Sequence, residues 1–165
     1  MVSVITVVLL SDSPRCHLAQ ALELLPGGRF VLSFGAAGPF REGETIAVLS
    51  DLLAAPPEKV PLPPRCPAIL PSVNQAAVEF ARRHGLLPLD CGLSLRDTLT
   101  LSSRTDSSVM IALQRPVARL DGTVLDPVEI PLSLTRNWAP YPLLCCAGVL
   151  LLTAGPGELA GMGVF

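Results

Sequence analysis

The stretch "PAILPSVNQAAVEFARRHGLLPLDCGLSLRDTLTLSS", residues 67–103, decides the fold. Its opening "AILPS" is a short apolar run of strand type. A helix follows from about Asn74 to His84, with Ala77, Phe80 and Ala81 on one face and Glu79, Arg82 and Arg83 on the other. Gly85 closes that helix, and "LLPLDCG" supplies another strand. Strands alternating with helices in this way argue for a parallel sheet with covered faces. Beyond Gly92 the pattern changes: "DTLTLSS" alternates apolar and polar residues, as a half-exposed antiparallel strand does.

The same grammar extends in both directions. Toward the N-terminus, "VSVITVVLLS" is a β-branched run suited to a strand buried on both faces. "DSPRCHLAQALELL" spaces Leu18, Leu22 and Leu25 helically, with Ser13 as the expected cap, Pro14 in the first turn and Pro26-Gly27-Gly28 as the stop. "RFVLSFG" and "ETIAVLSD" read as two further strands, and the proline-dense "LLAAPPEKVPLPPRCP" as an extended surface connection. Toward the C-terminus, "SVMIALQRPVARL" alternates, "LDGTV" holds a turn-forming Asp-Gly, and "VEIPLSL" returns as a strand. Residues 138–153 form an apolar helix, and "GPGELAGMGVF" a glycine-rich tail.

The predicted class is α/β: a mostly parallel, Rossmann-like sheet flanked by helices, with a small antiparallel sheet inserted before the C-terminal helix. One domain is expected over residues 1–154. It divides into a parallel β/α part (1–92), the antiparallel sheet (93–135) and the helix (138–153), with a flexible tail at 155–165.

Composition narrows function by exclusion. Half of the 165 residues are hydrophobic and 16% are charged, against roughly 25% charged in an ordinary soluble domain. Extensive burial or an apolar partner surface follows. The net charge is −2, and Lys59 is the lone lysine among scattered arginines, so no phosphate-tracking surface, and hence no nucleic-acid partner, is expected. The start lacks a basic region and cleavage site of signal-peptide type. The apolar run 143–154 is shorter than the roughly 20 residues of a spanning helix, so no membrane association is expected. Five cysteines, without a CxxC pair, point to reduced thiols in a cytoplasm. Neither GxxxxGK[ST] nor GxGxxG after a strand occurs, and the turn after the first strand, "SDSPRCH", carries Asp12 and no glycine. No cofactor and no metal are expected.

Candidate chemistry is sparse. Cys91 ends a predicted parallel strand, the edge where open α/β sheets gather ligands, and Ser94 and Asp97 follow it. A buried thiol with a turn beyond is the structural explanation of the same residues. Cys16 and His17 are adjacent on a helix, about 100° apart, which keeps them from sharing a proton. His84 reads as a helix C-cap. Arg115, breaking an apolar strand beside Gln114, is expected to bridge to Asp121, Asp126 or Glu129.

Taken in order, "AILPSVNQAAVEFARRHGLLPLDCGLS", polar β-segments and "EIPLSLTRNWAPYPLLCCAGVLLL" resemble the second half of the Mur ligase central domain over residues 67–153. In that family an "AVLNADDP"-type strand and helix precede a "VITFG"-type strand, and a "GRHN"-type turn opens a small-residue helix. The resemblance places Pro71 where the family has an adenine-site Asn, Val73 and Asn74 where it has paired acids, and Arg136-Asn137 where it has His-Asn. With the phosphate loop absent as well, it implies the scaffold without the ATP chemistry. The chain is therefore expected to be a noncatalytic accessory or interaction module, with a protein partner or a second copy of itself. The alternative is a small enzyme or small-ligand-binding protein whose strand-end group comprises Asn74, Cys91, Ser94, Asp97, Arg136 and Asn137.

Overall fold

The structure, a computed structural model, describes residues 3–13, 15–35, 38–161 and 165. In chain order the elements are β1 (Ile5–Leu10), α1 (His17–Leu22), β2 (Phe30–Phe34), β3 (Thr45–Leu49), β4 (Pro67–Pro71), α2 (Gln75–Arg83), β5 (Leu87–Cys91), β6 (Leu99–Arg104) and β7 (Ser108–Leu113). The short β8 (Val117–Ala118) and β9 (Val124–Leu125) follow, then β10 (Val128–Ser133), α3 (Pro140–Thr153) and α4 (Pro156–Gly161).

Eight strands form one sheet in the order β10-β7-β6-β5-β4-β3-β1-β2. The run from β2 to β6 is parallel, whereas β7 is antiparallel to both of its neighbours, β6 and the edge strand β10. The α/β class and the mostly parallel sheet thus follow the sequence pattern. The antiparallel strands differ in one respect: they extend the main sheet instead of standing apart. The short turn 92–98 cannot leave the sheet, and it delivers Leu99 beside Cys91, with the Gly92 amide donating to the Leu99 carbonyl at 3.3 Å. The separate antiparallel sheet is the β8–β9 pair, whose turn is held by Asp121 accepting from the Thr123 amide at 2.9 Å.

Alternation along the central strands divides the core in two. Val7, Leu9, Ile46, Val48, Ile69 and Leu89 point to one face, where α1, α3 and α4 bury them. Val8, Leu10, Ala47, Leu49, Ala68 and Leu70 point to the other, under α2 and the proline-rich connection. Helix α3 is apolar all round because it is enclosed all round: every residue from Pro142 to Leu152 is buried. Gly148 permits this, since a Cβ there would lie 3.0 Å from Ile69 Cδ1 and 3.2 Å from Leu89 Cδ2. Pro140 starts the helix, as proline's missing amide allows.

Two local expectations are corrected. Helix α1 begins after Ser13; its cap is Cys16, whose sulfur accepts from the Ala19 amide at 3.4 Å, while Ser13 Oγ closes a turn on the Arg15 amide. Pro14 lies outside the described residues. The tail, expected to be flexible, is packed. Leu159 of α4 is fully buried, Phe165 is 2% exposed, and the Thr135 amide donates to the Phe165 carbonyl at 2.8 Å. Two apolar side chains with core sites to fill outweigh the glycine-rich composition. Residues 162–164 lie outside the described set.

Candidate functional site

The carboxyl ends of β3, β4 and β5 meet the start of α3, the edge where ligand sites of such sheets form. The sequence places its candidates here, and the hydrogen bonds show what occupies each one.

Asn74 is the N-cap of α2. Its Oδ1 accepts from the Ala77 amide, and its Nδ2 donates to the carbonyls of Asp51 and Leu53, all at 3.0 Å. The side chain clamps the β3–β4 connection to the helix and has no donor left. Cys91 is 1% exposed, its sulfur 3.6 Å from the Leu89 carbonyl. Burial pushes its thiol well above the ordinary value, and the charges of Asp90 and Asp97 push it further. It is held as a neutral thiol, the opposite of what a nucleophile requires.

Ser94 and Asp97 close one turn. Asp97 is 3% exposed; its carboxylate accepts from the Ser94 amide at 2.9 Å and its own amide donates to the Ser94 carbonyl at 3.0 Å. Ser94 Oγ accepts from the Arg96 amide at 3.1 Å, and Gln114 Nε2 donates to the Asp97 carbonyl at 2.8 Å. Gly92 makes room: a Cβ there would fall 2.3 Å from Asp97 Oδ2. Beside this turn, Thr98 donates to Asp90 through its amide and its hydroxyl, at 3.2 and 2.8 Å. Arg115 donates to Thr98 Oγ1 at 3.2 Å and stands 3.8 Å from Asp90. Its carboxylate partner is therefore Asp90, in place of the expected Asp121, Asp126 or Glu129; Asp121 is taken by Arg119.

Arg136 and Asn137 stand elsewhere. They line a cleft of about 460 Å³ together with His17 and Gln20, and the first residues of α3 separate it from the Cys91 turn. The structure thus joins Ser94 to Asp97, sets Cys91 beneath them, and keeps Arg136-Asn137 apart. His84 caps as read, its Nδ1 2.9 Å from the Phe80 carbonyl and its ring stacked on Phe80 at 4.0 Å.

Around Cys91 the open space is a cleft of about 360 Å³ whose walls include Pro71, Val73, Leu93, Pro140, Tyr141 and Leu144. Tyr141 is fixed by donating its hydroxyl to the Leu49 carbonyl. Val73 is 88% exposed, Leu93 68% and Leu95 87%, and Leu52, beside the cleft residue Asp51, is 74% exposed. Sequence reading missed these apolar residues, which show no helical or strand periodicity because they are spread over three separate loops. The one available signal was three successive strand-end loops, each carrying at least one large aliphatic residue.

Among the described residues, no cluster of His, Cys, Asp and Glu has the makings of a metal site, and no helix is long and apolar enough to cross a membrane. All five cysteines are free thiols. No family model, curated protein or solved structure matches the chain.

Proposed function

We propose that the chain is a noncatalytic α/β interaction module, a Mur-ligase-like scaffold without ATP chemistry, which engages a protein partner through the carboxyl edge of its sheet. The observation that carries this reading is the division of labour at that edge. Asn74, Ser94 and Asp97 spend their polar groups on internal bonds, whereas Leu52, Val73, Leu93 and Leu95 face solvent. Apolar side chains gathered at one edge suit a protein surface better than a phosphorylated substrate. The turn where a phosphate loop would lie is committed as well, with Asp12 accepting from the Ala54 amide at 3.0 Å. The order of parts from β4 to α3 supports the scaffold analogy, and free thiols support a cytoplasmic setting.

The 360 Å³ cleft favours a second reading, reversible binding of a small apolar ligand at the same edge. Two measurements separate the possibilities. In thermal denaturation, a nucleotide at a hundred times its dissociation constant would add about 2.7 kcal/mol of stability; no shift is expected with millimolar Mg-ATP. In affinity capture from native extract, a partner held by the unmodified chain should be lost with Val73→Glu and Leu93→Glu together. Nucleotide binding, or turnover abolished by Cys91→Ser, would overturn the module reading. An apolar compound that stabilises the chain, with no partner lost on substitution, selects the second.

A further inference from the structure

Two sequence features left unused above meet in space. His17 and Gln20 stand exposed on α1, and Arg136-Asn137 form the turn before α3; together they line the 460 Å³ cleft, a volume in the range of small-molecule sites. Trp138 lies beneath, 5% exposed, and Ala21, Leu24 and Pro142 supply apolar wall.

The charges at this cleft are one-sided. The Arg136 guanidinium rests 5.9 Å from the Trp138 ring centroid and makes no ion pair among the described residues. Arg104, at the end of β6, is likewise without a carboxylate partner there: it donates to Asn137 Oδ1 at 3.2 Å and to the Trp138 carbonyl. By holding Oδ1, Arg104 fixes the Asn137 amide so that Nδ2 is left as a donor, and Nδ2 meets no acceptor among the described residues. No carboxylate lines the cleft. In a chain of net charge −2, the Arg136 guanidinium, the His17 imidazole and the side-chain amides of Gln20 and Asn137 line one cleft with no carboxylate among them, and Arg104 adds a second positive charge behind Asn137.

We propose that this cleft binds a small organic carboxylate with a compact apolar body. The planar guanidinium fork matches a carboxylate in bidentate fashion, with Asn137 Nδ2 as a further donor, and Ala21, Leu24 and Pro142 cover the apolar body. Inorganic phosphate would satisfy the donors and leave those walls bare. The proposal is independent of the protein-binding edge, because the start of α3 stands between the two surfaces.

Trp138 is the single tryptophan, so emission excited beyond the tyrosine absorption band reports from this cleft alone. The intact chain is titrated at constant ionic strength with hexanoate, acetate and inorganic phosphate. Hexanoate should give a saturable change in emission, with a dissociation constant on the order of millimolar or below for a ligand of so few atoms. Acetate and phosphate should bind at least about tenfold more weakly, since they lack the buried methylenes. Arg136→Gln should weaken hexanoate by about tenfold or more through loss of a charged hydrogen-bonding partner, Arg136→Lys should restore part of it, and neither should move the melting temperature of this exposed residue. His17→Gln provides a second variant, expected to weaken binding less than Arg136→Gln does. A flat titration, phosphate binding more tightly than hexanoate, or unchanged hexanoate affinity in Arg136→Gln would each overturn the proposal.

Discussion

Gly92→Ala tests how the parallel and antiparallel parts of the sheet are joined. The added Cβ would lie 2.3 Å from Asp97 Oδ2, 2.9 Å from its Cγ and 3.0 Å from Ser72 Oγ, so the Asp97 carboxylate has to move. Overpacking of this kind costs about 1–3 kcal/mol. Displacing the carboxylate from the Ser94 amide forfeits a charged hydrogen bond of about 1.5–3 kcal/mol. A side-chain rotation relieves part of the clash, which brings the expected total to about 2–4 kcal/mol. For a chain of 165 residues that is a fall of about 4–16 °C in melting temperature. Urea denaturation is the assay, with an unchanged m-value showing that stability alone has moved. The discriminating measurement is a double-mutant cycle with Asp97→Ala. If the clash with Asp97 carries the penalty, Gly92→Ala should cost at least about 1 kcal/mol less in that background. A Gly92→Ala protein as stable as the parent, or one that keeps its whole penalty without Asp97, would show that this turn does not set the junction.

Other expectations concern the core. Leu159→Ala should cost about 2–5 kcal/mol, because α4 contributes a fully buried side chain; a neutral result in denaturant titration would return the tail to a loose segment. Burial raises the Cys66 thiol from 9.0 to about 11 and the Cys146 thiol from 9.0 to about 12. The native state then keeps protons that the unfolded chain gives up, so their stabilisation is full below about pH 9 and declines above it, through the range to 11 and 12. Each thiol should contribute a slope of up to about 1.4 kcal/mol per pH unit. Denaturation series at successive pH values should show a shallower decline for Cys66→Ala, and a pH-independent stability across that window would contradict the burial.

Much of the fold was legible because burial imposes periodicity. Residues 138–153 read as an enclosed helix because no polar face is present, and α2 was found to within a residue since Asn74 and Gly85 mark its ends chemically. Helix α1 was misplaced because a cysteine caps it, and sulfur is not among the usual capping groups. The tail was misread because its composition is dominated by glycine, whereas its packing rests on Leu159 and Phe165 alone. At the candidate site, sequence placed Asn74, Cys91 and Asp97 at the carboxyl ends of the strands, which is where they lie in the fold. It could not show that their polar atoms turn inward, which depends on backbone amides brought close by the turns. The meeting of His17 with Arg136 is tertiary, and no local pattern announces it.

The position of α3 in the chain has a consequence for biogenesis. On a ribosome the parallel strands through β5 emerge first, while the helix that roofs one of their faces comes about 60 residues later. At typical synthesis rates, that face waits about 3–12 s for its cover. During the interval Val7, Leu9, Ile46, Val48, Ile69 and Leu89, all but dry in the finished protein, are available to any apolar surface in the vicinity. A nascent chain stalled before residue 140 would be a client for holdase chaperones, and slowing translation between β5 and α3 would lower the soluble yield without altering a single native contact.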